Sequence, residues 1–355
     1  MFRNKKVYIF IGVLISFLVF FFCLVGLEIL LRTWPTMLLG NNFTNEIRSK
    51  YHGGDDGIYW YDSALRIKRM KPHYETTMYF NEYEWHHTTN ADGFRIADDR
   101  TDADIVLLGD SLIYGHGLDD DESIGYLLDA QSQLTSANLA LQGNGSFDNF
   151  VIFNAFTFNY HPKYIFYFFF GNDLTDFRGH QDVDVTLREL NDFVATPLDE
   201  FDFSNLQPSP YVEHTDESRP LAIEVAVRFF VHRALEFLGV EAPLDGYTDF
   251  EDELLWEYTE KVLQYMKYKA DAIDAEFVLV PATTFYQYTN VNDEQYERLH
   301  TIADDYDISF IDSRSIGRDS KNFLHQHYDG HYSEDGAQVI VDLLLQFIAD
   351  HPDGV

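Results

Sequence analysis

With one cysteine in 355 residues, the chain can form no intramolecular disulfide and holds no Cys-rich zinc motif. Basic residues are scarce too: 25 Lys and Arg stand against 59 Asp and Glu, a formal charge of −34. A field of that sign repels phosphate backbones and excludes nucleic acid as a partner. Low hydrophobicity, the mark of a disordered chain, is also missing. Apolar residues make up 46% of the sequence, with 31 Phe and 23 Tyr, enough for a sizeable core. The chain is folded, acidic and free of disulfides, and it shows no internal repeat.

Charge is absent locally from Val7 to Leu27, a run of 21 residues. At about 1.5 Å per helical residue it spans a hydrocarbon core of roughly 30 Å. A signal-peptide apolar region is shorter, about 7–15 residues, and ends at a small-residue cleavage site. Glu28-Ile29-Leu30-Leu31-Arg32 offers no such site. The expectation is an uncleaved, single-pass transmembrane helix over residues 7–31. Arg3, Lys5 and Lys6 precede it and only Arg32 follows closely. Residues 1–6 then form a cytoplasmic tail, and the rest of the chain is extracytoplasmic at the cell membrane. Cys23, inside the span, serves as a small apolar residue. Residues 1–32 hold four of the basic residues and one acidic one, so the remainder carries 58 acids against 21 bases, a net −37. At molar salt the Debye length falls to about 3 Å and the self-repulsion largely disappears. A halophilic protein is expected.

Residues 32–84 read as a stalk and lead-in, with Gly, Asp, Tyr and Trp but no sustained period. Asn42-Phe43-Thr44 formally matches a glycosylation acceptor. From residue 104 short apolar runs alternate with helical patterns. The runs are Ile105–Leu108, Ala137–Leu141, Tyr164–Phe170, Phe277–Val280 and Ile308–Ile311. The helical stretches are Ile124–Leu134, Asn149–Phe158, Leu254–Ile273, Glu294–Asp304 and Glu334–Ala349. Continuous apolar strands alternating with helices predict an α/β domain whose parallel sheet is covered on both faces. Residues 178–250 break the rhythm and read as an insertion, with acidic loops and one amphipathic helix near Ala222–Phe237. That helix could cap a cleft, lie on the membrane or mediate dimerisation, and its pattern does not choose.

Ligands of such sheets bind where strands end and helices begin. After the first run comes Gly109-Asp110-Ser111, a hydroxyl at a strand-to-helix turn, which alone is as well explained by a helix cap. The second ends near Gln142-Gly143-Asn144-Gly145 and the third in Gly171-Asn172-Asp173. Each is an ordinary loop signal by itself. Before the last helix stands His327-Tyr328-Asp329-Gly330-His331, a base with a carboxylate close by in sequence.

As a set, in this order, these residues resemble the SGNH (GDSL) hydrolase family over roughly residues 85–350. Gly109-Asp110-Ser111 matches its first motif, Gly143 its second, Gly171-Asn172-Asp173 its Gly-x-Asn-Asp motif, and Asp329 with His331 its last. Thr89-Asn90-Ala91-Asp92-Gly93-Phe94-Arg95 is similar to the segment before the nucleophile strand in membrane-anchored members. Two departures stand out: no residue separates Gly171 from Asn172, and Asp329 precedes His331 by two positions where three are usual. The resemblance implies a three-layer doubly wound parallel sheet of flavodoxin-like type behind the transmembrane helix. It implies Ser111 as nucleophile, His331 as base and Asp329 as its orienting carboxylate. The amides of Ser111 and Gly143 and the Asn172 side chain would form the oxyanion hole. No cofactor or metal is implied.

The activity expected is a serine-dependent carboxylic-ester hydrolase, and an exported, anchored position points to small acyl groups on envelope or extracellular glycans. The same residues serve an O-acetyltransferase of a surface polysaccharide, which would need a membrane partner to supply the acyl donor. Two readings from another class stand beside these. One is a non-catalytic glycan-binding domain. The other is a metal site: His325, His327, Asp329 and His331 alternate and would share one face of an extended strand. Asp-Gly-His ahead of a helix reads as a loop instead. His116 reads as structural, and Asp110 and Asp173 as helix-cap and loop residues. Asn144-Gly145-Ser146 also matches a glycosylation acceptor, although modification there would obstruct the oxyanion loop.

Overall fold

The computed structural model describes residues 2–34, 58–80, 83–95, 98–174, 183–203, 206–212, 221–237, 252–282, 293–313, 324–326 and 329–352. Asn42 and His327 lie outside these residues. The chain divides into two compact units, one of residues 1–57, 78–84 and 213–244 and one of residues 58–77, 85–212 and 245–355.

The first unit contains α1 (Phe2–Thr33), whose segment Phe10–Thr33 is apolar and long enough to cross a membrane. In the second unit the lead-in is folded from Ile58 onward. β1 (Tyr59–Asp62) and β2 (Ile67–Met70) form an antiparallel hairpin, and β3 (Glu75–Phe80) pairs with β4 (Tyr83–Thr88), both of these strands contributing residues to both units. The β1–β2 hairpin closes on a buried ion pair, Arg69 Nη1 to Asp62 Oδ2 at 2.8 Å. The Asp62 carboxylate also accepts from the amides of Ala64, Leu65 and Ser209.

The α/β part begins at β5 (Ile105–Leu108) and continues through α2 (Ser111–Tyr114), α3 (Ile124–Gln131), β6 (Ser136–Asn138), α4 (Ser146–Phe156) and β7 (Tyr164–Phe169). After α5 (Val183–Ala195) and α6 (Ala222–Phe237) come α7 (Asp252–Asp271), β8 (Glu276–Pro281), α8 (Asp293–Asp305) and β9 (Ser309–Phe310). A hairpin of β10 (Leu324–Gln326) and β11 (Asp329–Tyr332) leads into α9 (Glu334–Asp350).

The five sheet strands run parallel in the order β6-β5-β7-β8-β9. This is the flavodoxin-like order, with a switch point between β5 and β7. Right-handed crossovers that reverse direction after β6 put α3 and α4 on opposite faces, giving three layers. Every residue of β5, β7 and β8 is buried, which is why these strands read as unbroken apolar runs. Phe347 of α9 meets Phe166 edge-on beneath the sheet. On α4 and α7, Tyr265 Oη donates to Asn154 Oδ1 at 2.9 Å.

The second strand is shorter than its apolar run. Leu139 still donates to Leu107, but the Asn138 carboxamide then accepts from the Ala140 amide and donates to the Ile113 carbonyl, turning the chain out of the ladder. The insertion divides between the units. Phe193 of α5, with Phe201 and Phe203, packs on Phe150, Tyr258 and Tyr265 of the sheet unit. α6 packs on α1 in the first unit, where Leu31, Ala222, Val225 and Ala226 form a small buried cluster.

Candidate active site

β5 runs into Gly109, whose φ of +154° suits glycine. A Cβ there would lie 3.2 Å from both the Phe168 carbonyl oxygen and Ile113 Cγ1, so a side chain would push β5 away from β7. The Gly109 amide donates to Asn149 Oδ1 at 3.0 Å, tying the turn to α4. Asp110 then caps α2, its Oδ1 accepting from the Leu112 amide at 3.0 Å. Ser111 opens that helix, half-buried at the carboxyl end of β5.

His331 arrives on β11, two residues before the Ser333 cap of α9. Its Nε2 lies 2.9 Å from Ser111 Oγ, a contact that joins residues 220 positions apart. The segment carrying His331 was expected as a loop and is a strand instead. Asp329 pairs with Gln326 across the β10–β11 hairpin, and two strands this short are too brief to show a period in the sequence. The hairpin also revises the metal reading, which needed one extended strand. His325 lies on β10, whereas Asp329 and His331 lie on β11.

Gly143 sits in the turn after β6 with φ +73°, a left-handed conformation that a side chain would strain. Asn172 lies in the 3-10 turn Gly171–Leu174 after β7. Asp173 braces that turn, its Oδ2 accepting from Tyr167 Oη and from the Phe170 amide. The side chains of Asn172 and Asp329 are outside the described residues.

Around His331 the structure adds contacts that the sequence did not show, among them one from His116, which reads there as structural. The His116 ring stacks on the His331 ring, centroids 4.0 Å apart and planes 25° apart, and Trp85 packs against His116 at 4.6 Å. Gln142 Oε1 accepts from Tyr59 Oη at 3.0 Å, so the Gln142 amide donates to His116 Nδ1, also at 3.0 Å. The proton of a neutral His116 then resides on Nε2. Gln142 is the neighbour of Gly143, so one loop both supports the stacked imidazole and carries the expected oxyanion amide.

Arg95, the last residue of the lead-in motif, is buried behind the site. Its guanidinium donates to the carbonyls of Gly115, Leu118 and His86 and to Asp120 Oδ1. It thereby fixes the chain leaving α2. Beside it, Tyr114 Oη lies 2.9 Å from His87 Nδ1. Burial, with the nearby Arg95 charge, pushes His87 down to about 3, so that ring is neutral. Among the described residues, no three His, Cys, Asp or Glu side chains gather as a metal site.

Residues 105–344 match the model of the GDSL-like lipase/acylhydrolase family. Solved structures similar to this chain include a psychrotrophic esterase from Pseudoalteromonas sp., at 15% identity over 69% of this chain and 96% of that one, TM-score 0.40. A lipase/acylhydrolase from Enterococcus faecalis matches at 12% identity over 70% and 95%, TM-score 0.39. A GDSL-like lipase from Bacteroides thetaiotaomicron matches at 11% over 70% and 88%, TM-score 0.35. No curated protein matches the sequence. The family match extends over more than half of the chain, from the strand that delivers Ser111 to the helix that follows His331, and the chain belongs to the GDSL-like lipase/acylhydrolase family of ester-bond hydrolases.

Proposed function

We propose that this protein removes small acyl groups from envelope or extracellular glycans by a serine mechanism, held at the membrane by α1 with its N-terminus cytoplasmic. The observation that carries the mechanism is the 2.9 Å contact between Ser111 Oγ and His331 Nε2. His331 takes the Ser111 proton as Oγ attacks the ester carbonyl. Asp329 holds the imidazole tautomer and stabilises the imidazolium. The Ser111 and Gly143 amides and the Asn172 carboxamide receive the oxyanion, each such donor contributing about 2.7–4 kcal/mol in the transition state. The imidazolium then protonates the leaving sugar oxygen, the C–O bond breaks, and Ser111 is left acylated. Water, deprotonated by His331, releases the acid and restores the serine. The glycan assignment is supported by the apolar span of α1, which would hold the site at the cell envelope.

A p-nitrophenyl acetate time course on the full chain in detergent tests this. Steady turnover is expected, falling by at least about 10³-fold in Ser111→Ala. Turnover unchanged in that variant would end the serine mechanism. A single burst of nitrophenol without turnover would replace hydrolysis by acyl transfer to a sugar acceptor.

A further inference from the structure

We infer that α6 is a membrane-surface helix, lying in the acyl–headgroup boundary beside the exit of α1; this rests on the reading of α1 as a membrane span. The height of α6 is set by Glu28. Its carboxylate accepts from the Ala222 amide at 2.8 Å and the Ile223 amide at 2.9 Å, the first free N–H groups of α6. Arg32, one turn along α1, closes the pair at 2.6 Å. Glu28 directly follows the charge-free run Val7–Leu27. That run fills about 30 Å, so Glu28 marks the edge of the hydrocarbon layer and pins the start of α6 there. Leu31, one turn beyond, is only 2% exposed against Ala222, Val225 and Ala226. Trp34, exposed at the end of α1, occupies the level where interfacial aromatic residues gather.

The residues of α6 divide by angle. At 100° per residue, Ala222, Val225 and Ala226 share the arc that packs on α1. Ile223, which still packs against that cluster, and the open Val227, Phe230, Val231 and Ala234 occupy a second arc of about 100° beside it. On this arc Val227 is 56% and Val231 53% exposed. Glu224 and Arg228 pair with each other at 2.7 Å on the remaining side. Leu221, ahead of the helix, is exposed as well. Two adjacent apolar arcs, one on the spanning helix and one open, make an interfacial helix. The helix that bears the open arc starts beside Glu28, where the charge-free, exposed apolar surface of α1 ends, and this adjacency assigns the arc to lipid.

The test uses the full chain with Cys23→Ala and a single new cysteine at Val227, Val231, Arg228 or Leu18, each carrying an environment-sensitive fluorophore. The proteins are reconstituted in phosphatidylcholine vesicles, and only variants that retain p-nitrophenyl acetate turnover are compared. Doxyl-labelled phosphatidylcholine is expected to quench the probes at Val227→Cys and Val231→Cys several-fold more than the probe at Arg228→Cys, with aqueous iodide giving the reverse order. Lipid quenching at Leu18→Cys alone, with iodide reaching positions 227 and 231, would overturn the interfacial helix and leave the span standing. Iodide access at Leu18→Cys too would overturn both. Shielding at 227 and 231 from both quenchers, lost on diluting protein into lipid, would assign the stripe to a second copy of the chain and reject the lipid reading.

Discussion

In the proposed mechanism His331 relays a proton between Ser111 and a leaving group, which requires its ring plane to be held, and the surface packed on that ring is another imidazole. The His116 ring lies parallel to it, backed by Trp85 and fixed through Gln142 and Tyr59. Truncation in His116→Ala leaves His331 free to rotate away from Oγ. A displacement near 1 Å costs about 10²-fold in rate, so kcat for p-nitrophenyl acetate is expected to fall by about that factor with KM little changed. His116→Phe keeps a flat ring and is expected to recover most of the loss. A fall in KM-controlled binding with kcat intact would show that the stack serves the substrate instead. His87 gives a second prediction at this scale. Its folded value is about 3 against an ordinary 6.5, so between those limits only the unfolded chain binds the proton. Stability is therefore lost as pH falls from 6.5, by up to about 1.4 kcal/mol per unit. Urea unfolding at pH 6.5 and pH 5 should show wild type losing about 1.7 kcal/mol more than His87→Gln. Equal losses would mean that His87 is charged in the fold.

At the scale of elements, α2 is a single turn and cannot hold itself in place. Arg95 supplies the restraint by gathering the carbonyls of Gly115 and Leu118 and pairing with Asp120, which itself accepts from Thr88 Oγ1. Arg95→Ala strands those acceptors and the carboxylate, and about 3–5 kcal/mol of stability is expected to go, read as a lower urea midpoint. Arg95→Lys keeps the charge but not the planar fork and should lie between. This dependence shows which parts of the fold a sequence displays. β5, β7 and β8 stood out because strands buried on both faces must be apolar throughout, and the long helices because their faces repeat. Ser111 stood out through its place at a strand end, and His331 through its place ahead of the last helix. The β1–β2 and β10–β11 hairpins did not: three- and four-residue strands carry no readable period, and their pairing is decided by partners such as Arg69 for Asp62. The stack of His116 on His331 was hidden for a related reason. Nothing local to His116 records a ring delivered from the far end of the chain.

Over the whole molecule the dominant feature is charge. The part beyond residue 32 carries a net −37: even with each of its 21 bases in a pair such as Arg100 with Asp98 and Asp129 or Arg298 with Glu253, 37 of its 58 acids are in excess of any basic partner. The remaining carboxylates repel one another across distances that water and dilute salt screen poorly: the Debye length is about 10 Å at 0.1 M and about 3 Å at 1 M. Unfolding lets those charges spread, so at low salt repulsion works against the compact state. Raising KCl from 0.1 to 2 M should therefore raise the melting temperature of the full chain in non-ionic detergent, each kcal/mol recovered adding about 2–4 °C. Salt also strengthens apolar burial, and the choice of ion separates the two causes. Screening should saturate by about 1 M and be similar for KCl and NaCl, since it depends on ionic strength alone. Enhanced burial should keep growing with concentration and be larger for sulfate. A melting temperature unchanged between 0.1 and 2 M KCl would show that the acidic surface costs the fold little, and the expectation of a halophilic protein would fall with it.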